Sequence, residues 1–160
     1  NHFIHQFGNP LVLARLLEAR TFKMGLAAGR KYGELEPLLE PYRKTALTRS
    51  GDESSVALLK MIQSGRLDFT LDYDIILTYM NKTAPEQAKG LVYVPIAELS
   101  HPIAGAVGCS NSDWGRQQIE LINAVLPAVQ ADPDFVQSLE LWFDAQVLTA
   151  PAELKPERKQ

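Results

Sequence analysis

The sequence contains a single cysteine, Cys109, so an intrachain disulfide is impossible. Cys109 lies in the apolar segment GAVGCS, where a cysteine is typically a small core residue rather than a nucleophile. The three histidines, His2, His5 and His101, lack metal-ligand spacing with one another, with the cysteine or with acidic residues. We therefore predict no metal site and no cofactor.

Other features that the sequence lacks exclude further classes of protein. No apolar run approaches the roughly 20 residues that a membrane-spanning helix needs. Lysine and arginine number 16 against 19 aspartates and glutamates, so no basic excess predicts nucleic-acid binding. The Gly-x-Ser-x-Gly, His-Glu-x-x-His and phosphate-loop motifs are all missing, so no enzyme class is indicated. The chain begins with Asn1 and shows no signal peptide, so we expect a processed or truncated product whose leader could have been lost.

Helix-like and strand-like segments alternate along much of the chain. We predict helices over 11–20, 34–42, 54–63 and 74–81, and strands over 22–27, 45–49 and 67–72. After a loop at 82–90, two further strands are predicted over 91–96 and 103–110. A helix beginning at Asp113 and a second one ending at Phe143, separated by the sequence ADPD, follow these strands. This alternation is typical of an α/β fold with a mainly parallel sheet flanked by helices, followed by C-terminal helices.

Polar residues follow two of the predicted strands directly. Right-handed crossovers would place the strand ends near 28–33, 50–53 and 72–75 on one rim, where ligands bind in open α/β sheets. The candidate ligand-binding residues lie in the first and third of these turns: Gly29, Arg30, Lys31, Tyr32, Gly33, Asp72, Tyr73 and Asp74.

Each candidate also has a purely structural interpretation. Asp74 could equally cap the helix that follows it. Arg30 and Lys31 could be solvated surface charges. Gly29 and Gly33 could be required by turn geometry, a role that does not exclude contact with a ligand. The sequence leaves these alternatives open.

Four segments in order carry a resemblance to a known family: GRKYG, LLKMIQSGR, LDFTLDY and SDWGRQQIELINAVL. Over about residues 11–143 the chain resembles the second lobe of bacterial periplasmic solute-binding proteins of the amino-acid-binding type (extracellular solute-binding family 3). The resemblance implies a ligand-binding lobe with a returning hinge strand over 11–110. It implies helices over 111–149 that would pack on a first lobe missing from this chain. We expect a disordered tail over 150–160.

The resemblance also implies the function and the roles of the site residues. The turn from Gly29 to Gly33 would hold a ligand carboxylate at a helix N-terminus, and the carboxylates beside Tyr73 would hold the ligand's amino group. The implied activity is non-catalytic capture of a small polar or amino-acid-like solute for an ABC-type transporter, whose permease would be a partner, in the periplasm or outside the cell. Three alternatives remain, of which one is an isolated lobe that works through contacts with other proteins. Another is a sensory module of a signalling protein, and the third is a related enzyme, such as a prephenate or arogenate dehydratase using Asp72 or Asp74 as an acid.

The C-terminal helices carry an apolar stripe that includes Ile119, Ile122, Val125, Leu126, Phe135, Leu139, Trp142 and Phe143. Soluble monomers rarely expose a large apolar patch. We therefore expect the stripe to fold back on the lobe or to pair with a second copy as a homodimer.

Overall fold

The computed structural model describes residues 2–99 and 106–143, with only the backbone described for residues 2 and 3. The chain divides into two compact units, residues 1–100 and residues 101–160. The first unit contains a three-stranded, all-parallel sheet flanked by helices, and helices follow in the second. The predicted α/β fold class is confirmed. Residues 144–160, which include the predicted tail, lie outside the described residues.

The first unit contains most of the regular elements. In chain order they are α1 (His2–Phe7), α2 (Leu13–Ala19), β1 (Met24–Ala27), a 3-10 turn (Gly33–Leu35), α3 (Glu36–Leu39), a second 3-10 turn (Glu40–Tyr42), β2 (Leu47–Arg49), α4 (Ser54–Gln63), β3 (Phe69–Thr70), α5 (Asp74–Thr83) and α6 (Pro85–Ala88). The second unit contains α7 (Asp113–Gln130) and α8 (Pro133–Glu140).

The sheet has the order β2-β1-β3, with β1 in the centre. All four residues of β1 are buried, as expected for a central parallel strand covered on both faces. Gly25 pairs with Leu47 of β2 and with Thr70 of β3. The Thr70 hydroxyl also donates to the Gly25 carbonyl at 2.9 Å, which ties β3 to β1 at the point where the strand pairing ends.

The core lies on both faces of this short sheet. On one face, Leu26 and Leu39 have no exposed surface and pack in a cluster with α2. On the other face, Leu58 of α4 and Leu67 pack against the central strand. Because Leu58 and Ser55 belong to the same helix, the packing of α4 also positions Ser55 at the carboxyl edge of the sheet.

The two ends of the segment from Leu11 to Ile96 are adjacent within the first unit. Leu11 and Ile96 form a parallel bridge: the Leu11 N–H donates to the Pro95 carbonyl at 2.7 Å, and the Ala97 N–H donates to the Leu11 carbonyl at 2.8 Å. Just beyond this bridge, the Glu98 carboxylate accepts the N–H groups of Leu13 and Ala14, at 3.0 and 2.8 Å. Glu98 thus satisfies the first free donors of α2.

The predicted strand over 91–96 was wrong for residues 91–95, which form no ladder. Pro95 has no N–H to donate to one, and only Ile96 bridges to the segment at Leu11. Of the predicted strand over 103–110, residues 103–105 lie outside the described residues and 106–110 have no regular structure.

Two helices occur where none was predicted. Within the predicted loop at 82–90, α6 begins with Pro85 in its first turn, where a helix needs no N–H, and its Ala88 is buried in the core. At the N-terminus, α1 ends at Phe7, whose buried ring meets Phe22 edge-on with ring centroids 5.6 Å apart. Tertiary burial of one residue stabilises each of these short helices.

The two predicted C-terminal helices are present, although α8 ends at Glu140 and not at Phe143 as predicted. The Ser112 hydroxyl accepts the Gly115 N–H at the start of α7, and the Asp132 carboxylate accepts the N–H groups of Asp134 and Phe135 at the start of α8. Several large apolar side chains of this unit are exposed: Trp114, Leu121, Val125, Leu126, Val129, Phe135, Val136, Leu141 and Trp142. Among the described residues, no helix has both the length and the apolar character needed to cross a bilayer.

Candidate functional site

Three side chains from three separate elements meet at the carboxyl edge of the sheet. Arg30, in the turn after β1, forms an ion pair with Asp72, which follows β3, with 2.6 Å between Nη1 and Oδ1. The second guanidinium nitrogen of Arg30 donates to the Ser55 hydroxyl in the first turn of α4 at 3.0 Å. The sheet order β2-β1-β3 brings the two turns together, because β1 and β3 are neighbours. The structure therefore joins Arg30 and Asp72, two of the predicted site residues.

Asp72 has one satisfied and one unsatisfied carboxylate oxygen. Its Oδ1 accepts from Arg30 and from the Tyr73 N–H at 2.9 Å. Its Oδ2 is buried and has no hydrogen-bond partner among the described residues. The side chain is only 6% exposed, whereas that of Arg30 is 30% exposed. A buried acceptor without a donor costs about 1–3 kcal/mol, so this oxygen is a place where an incoming donor would gain a strong hydrogen bond.

The turn from Gly29 to Gly33 is shaped by its two glycines. Both have positive φ angles, +74° and +55°, which residues with a side chain rarely adopt. A β-carbon at either position would meet nothing within 4 Å. Backbone conformation, rather than close approach of a neighbouring atom, is therefore what requires glycine here.

Tyr32 of the same turn folds back over the end of β1. Its hydroxyl oxygen accepts the Ala27 N–H at 3.0 Å. Burial raises the pKa of the Tyr32 hydroxyl above its ordinary value, and the negative charge of Asp72 adds to this rise, while the Ala27 N–H and Arg30 oppose it. Tyr32 therefore keeps its hydroxyl proton at neutral pH, beside the acidic part of the site.

The N–H at the start of the following helical segment is already occupied. Glu36 accepts the Tyr32 N–H at 2.6 Å through one oxygen and pairs with Arg43 at 2.5 Å through the other. The hydrogen bond from the Tyr32 N–H, and after it the one from Arg43, hold the pKa of Glu36 below its ordinary value. A carboxylate of the chain itself thus lies where the sequence predicted a ligand carboxylate, and the exposed Lys31 adds to the positive charge beside it.

Tyr73 and Asp74 lie next to the buried pair. The helix-cap interpretation of Asp74 was wrong in position: Tyr73 is the cap residue of α5, and Asp74 is the first helical residue, whose carboxylate accepts the Ile75 N–H at 2.8 Å. Tyr73 is 55% exposed. Burial, and then the negative charge of Asp74, raise the pKa of Tyr93, so Tyr93 lies within electrostatic range of Asp74.

Sequence reasoning did not identify Ser55, Glu36 or Tyr93. A serine in the first turn of a helix that follows a strand end is a detectable pattern, because the strand-end rule also covers residues 50–55. A glutamate in the first turn of a predicted helix is likewise a pattern that predicts capping of the preceding N–H. For Tyr93 the sequence offers no pattern, since 19 positions separate it from Asp74.

Among the described residues, no group of His, Cys, Asp and Glu side chains has the arrangement of a metal site. Comparisons of the chain with protein-family models, with curated proteins and with solved structures gave no match.

Proposed function

We propose that this chain is the ligand-binding lobe of a solute-binding protein. It would hold a small polar or amino-acid-like molecule without chemical change and deliver it to the permease of an ABC-type transporter, in the periplasm or outside the cell. The parallel sheet of the first unit and its polar carboxyl edge support the proposal, because ligands of open α/β folds bind beyond this edge.

One observation carries the proposal: the buried, unsatisfied Oδ2 atom of Asp72. Among the described residues no donor reaches this oxygen, although Arg30 and the Tyr73 N–H both bind its neighbour Oδ1. An ammonium, amide or hydroxyl group of a ligand would supply the missing donor. The Arg30 ion pair and its Ser55 contact hold the carboxylate in place for that donor.

The carboxylates of Asp72 and Glu36 predict that the site prefers cationic to anionic groups of a ligand. A ligand carboxylate at the Gly29–Gly33 turn would have to share this turn with the Glu36 carboxylate. We therefore expect the isolated lobe to bind the cationic or hydroxyl-bearing end of a ligand more strongly than the anionic end.

Binding of small charged probes tests the proposal. L-lysine and putrescine serve as cationic probes, and succinate serves as the anionic probe, each titrated into the isotopically labelled chain with the amide resonances of Tyr73 and Ser55 as the readout. The key variant is Asp72→Asn, which keeps an oxygen for Arg30 and replaces the unsatisfied acceptor by an NH2 donor. We expect it to weaken binding of the cationic probes by about tenfold or more, since hydrogen bonds to charged groups contribute about 1.5–3 kcal/mol.

Asp52→Asn is the matched control, because Asp52 is an exposed carboxylate in the turn after β2 and the substitution removes the same charge. It should leave the affinity unchanged. If Asp72→Asn and Asp52→Asn bind the cationic probes equally well, or if succinate binds more tightly than both cationic probes, the proposed site is wrong.

A further inference from the structure

A second concave site lies at the opposite edge of the sheet. Met24, Leu47 and Phe69 are the first residues of β1, β2 and β3, and all three line one cavity of about 470 Å3. The cavity is therefore at the amino ends of the strands and has no residue in common with the Arg30–Asp72 site.

The walls of this cavity are largely apolar. Leu16 and Leu17 of α2 contribute buried side chains, and Phe22 and Tyr42 contribute aromatic rings. Leu47, on the edge strand β2, is 39% exposed. A small molecule that enters the cavity would thus lie against alkyl and aromatic surface.

The charged residues that line the cavity are all basic. They are Arg20, Lys23 and Arg66, and no aspartate or glutamate is among the described residues that line it. Within the described part of the chain, none of these three side chains forms an ion pair. The Arg20 guanidinium lies over the Tyr42 ring, 5.8 Å from its centroid. The carboxylate of Asp68, at the same edge, accepts the backbone N–H of Lys23 at 2.6 Å.

Arg20 occupies an unfavourable backbone position. It ends α2 with φ +51°, the left-handed conformation that glycine commonly supplies at helix ends, and its N–H bonds to the Leu17 carbonyl. Among the described residues it is the only non-glycine with positive φ. Glycine would fit this backbone with less strain, whereas arginine places a guanidinium over the Tyr42 ring at the cavity wall.

We propose that this cavity binds an amphiphilic organic anion: a molecule with one carboxylate or sulfonate and an alkyl or aromatic body. The body would lie between Phe22, Tyr42 and Leu47, and the anionic group would face Arg20, Lys23 and Arg66. The apolar walls and the basic lining residues each select one half of such a ligand. The proposal is independent of the function proposed for the Arg30–Asp72 site.

Dye binding tests the proposal on the full chain. The probe is 1-anilinonaphthalene-8-sulfonate, whose fluorescence rises in apolar cavities. The double variant Arg20→Gln/Arg66→Gln should bind the dye about tenfold more weakly than the unmodified chain, because it loses two charge-assisted contacts. Lys60→Gln/Lys89→Gln removes the same charge from exposed positions outside the cavity and should bind it as the unmodified chain does.

A second experiment uses only the unmodified chain, so it tests the proposal even if the variant Arg20→Gln/Arg66→Gln fails to fold. Octanoate should displace the dye and shift the amide resonances of Leu47 and Phe69, whereas 1-octanol at the same concentration should displace much less. Equal displacement by the two compounds, equal dye affinity of the two double variants, or octanoate shifts confined to residues 113–143 would each overturn the proposal.

Discussion

Replacing Gly25 by alanine should destabilise the first unit by overpacking its sheet. A β-carbon built at Gly25 would lie 2.5 Å from the Leu67 Cδ1 atom and 2.6 Å from the Leu58 Cδ2 atom. Both leucines are buried, at 3% and 1% exposure, so neither can swing into solvent. The methyl group can be accommodated only if Leu58 and Leu67 adopt other rotamers within the core, or if α4 or the segment before β3 moves away from the central strand.

The expected magnitude follows from two opposing effects. Overpacking of a close-packed core costs about 1–3 kcal/mol. Replacing glycine by alanine reduces the entropy of the unfolded chain and returns about 0.4–1 kcal/mol. We therefore expect Gly25→Ala to lower the free energy of unfolding by about 1–2 kcal/mol, and to lower the urea midpoint by roughly 0.5–1 M. Ser55 should also shift relative to Arg30, because Leu58 and Ser55 share α4.

Far-UV circular dichroism during urea unfolding is the appropriate assay. Both tryptophans, Trp114 and Trp142, lie in the second unit, so their fluorescence does not report on the sheet. Gly108→Ala is the control, because a β-carbon there meets nothing within 4 Å. In a Leu67→Ala background the penalty of Gly25→Ala should shrink by at least about 0.5 kcal/mol. A variant as stable as the parent, or a penalty unchanged in that background, would show that close approach is not what requires Gly25.

Three further predictions concern other parts of the chain. Because the folded-state pKa of Glu36 is lowered, its stabilisation of the turn is complete above the ordinary carboxyl pKa and is lost as the pH falls through the folded value. The Tyr32 amide resonance should therefore titrate with a midpoint below about 4.3, and this titration should be absent in Glu36→Gln. A midpoint at or above that value would contradict the contact between Glu36 and the Tyr32 N–H. Asp132→Ala removes the cap of α8 and should cost about 1 kcal/mol of helix stability, measured by thermal loss of helical dichroism; no loss would mean that the cap is not formed in solution. If the apolar stripe of the C-terminal helices pairs with a second copy, analytical ultracentrifugation should give a mass above 17.8 kDa, and iodide should quench Trp142 fluorescence weakly. A monomer whose Trp142 is accessible to iodide would exclude that pairing.

The segments that sequence reasoning predicted best are those with strong periodicity and local end signals. The bounds predicted for α4, Ser54–Gln63, match the structure, because apolar residues recur at helical spacing and Gly65 follows with φ +71°. The start of α7 at Asp113 was predicted equally well. By contrast, the segment 91–95 has the apolar, branched composition of a strand, but it pairs with no strand in the part of the chain that the structure describes, and composition alone does not determine pairing.

The sequence predicted which residues lie at the carboxyl edge of the sheet, but not which of their side chains contact one another. The strand-end rule correctly located Arg30 and Asp72 on one edge of the sheet. Their ion pair joins residues 42 positions apart and depends on β3 lying beside β1, which no local pattern determines. The occupation of the Tyr32 N–H by Glu36 depends on the short helical segment being wound as a 3-10 turn followed by α3, a detail that propensity does not predict.

The bridge between Leu11 and Ile96 holds the two ends of the segment that contains the sheet next to each other. Neighbouring strands lie about 4.8 Å apart, so the two ends of the segment from Leu11 to Ile96 lie side by side. A unit with adjacent ends can be inserted into a surface loop of another protein without separating the two sides of that loop. Because the bridge is parallel, a circular permutant that joins position 96 to position 11 needs a crossover linker of about a dozen residues, with new ends in the exposed turn at 50–53. A transplanted segment must also keep Phe7, which is buried in the core, and Glu98, which accepts the first N–H groups of α2.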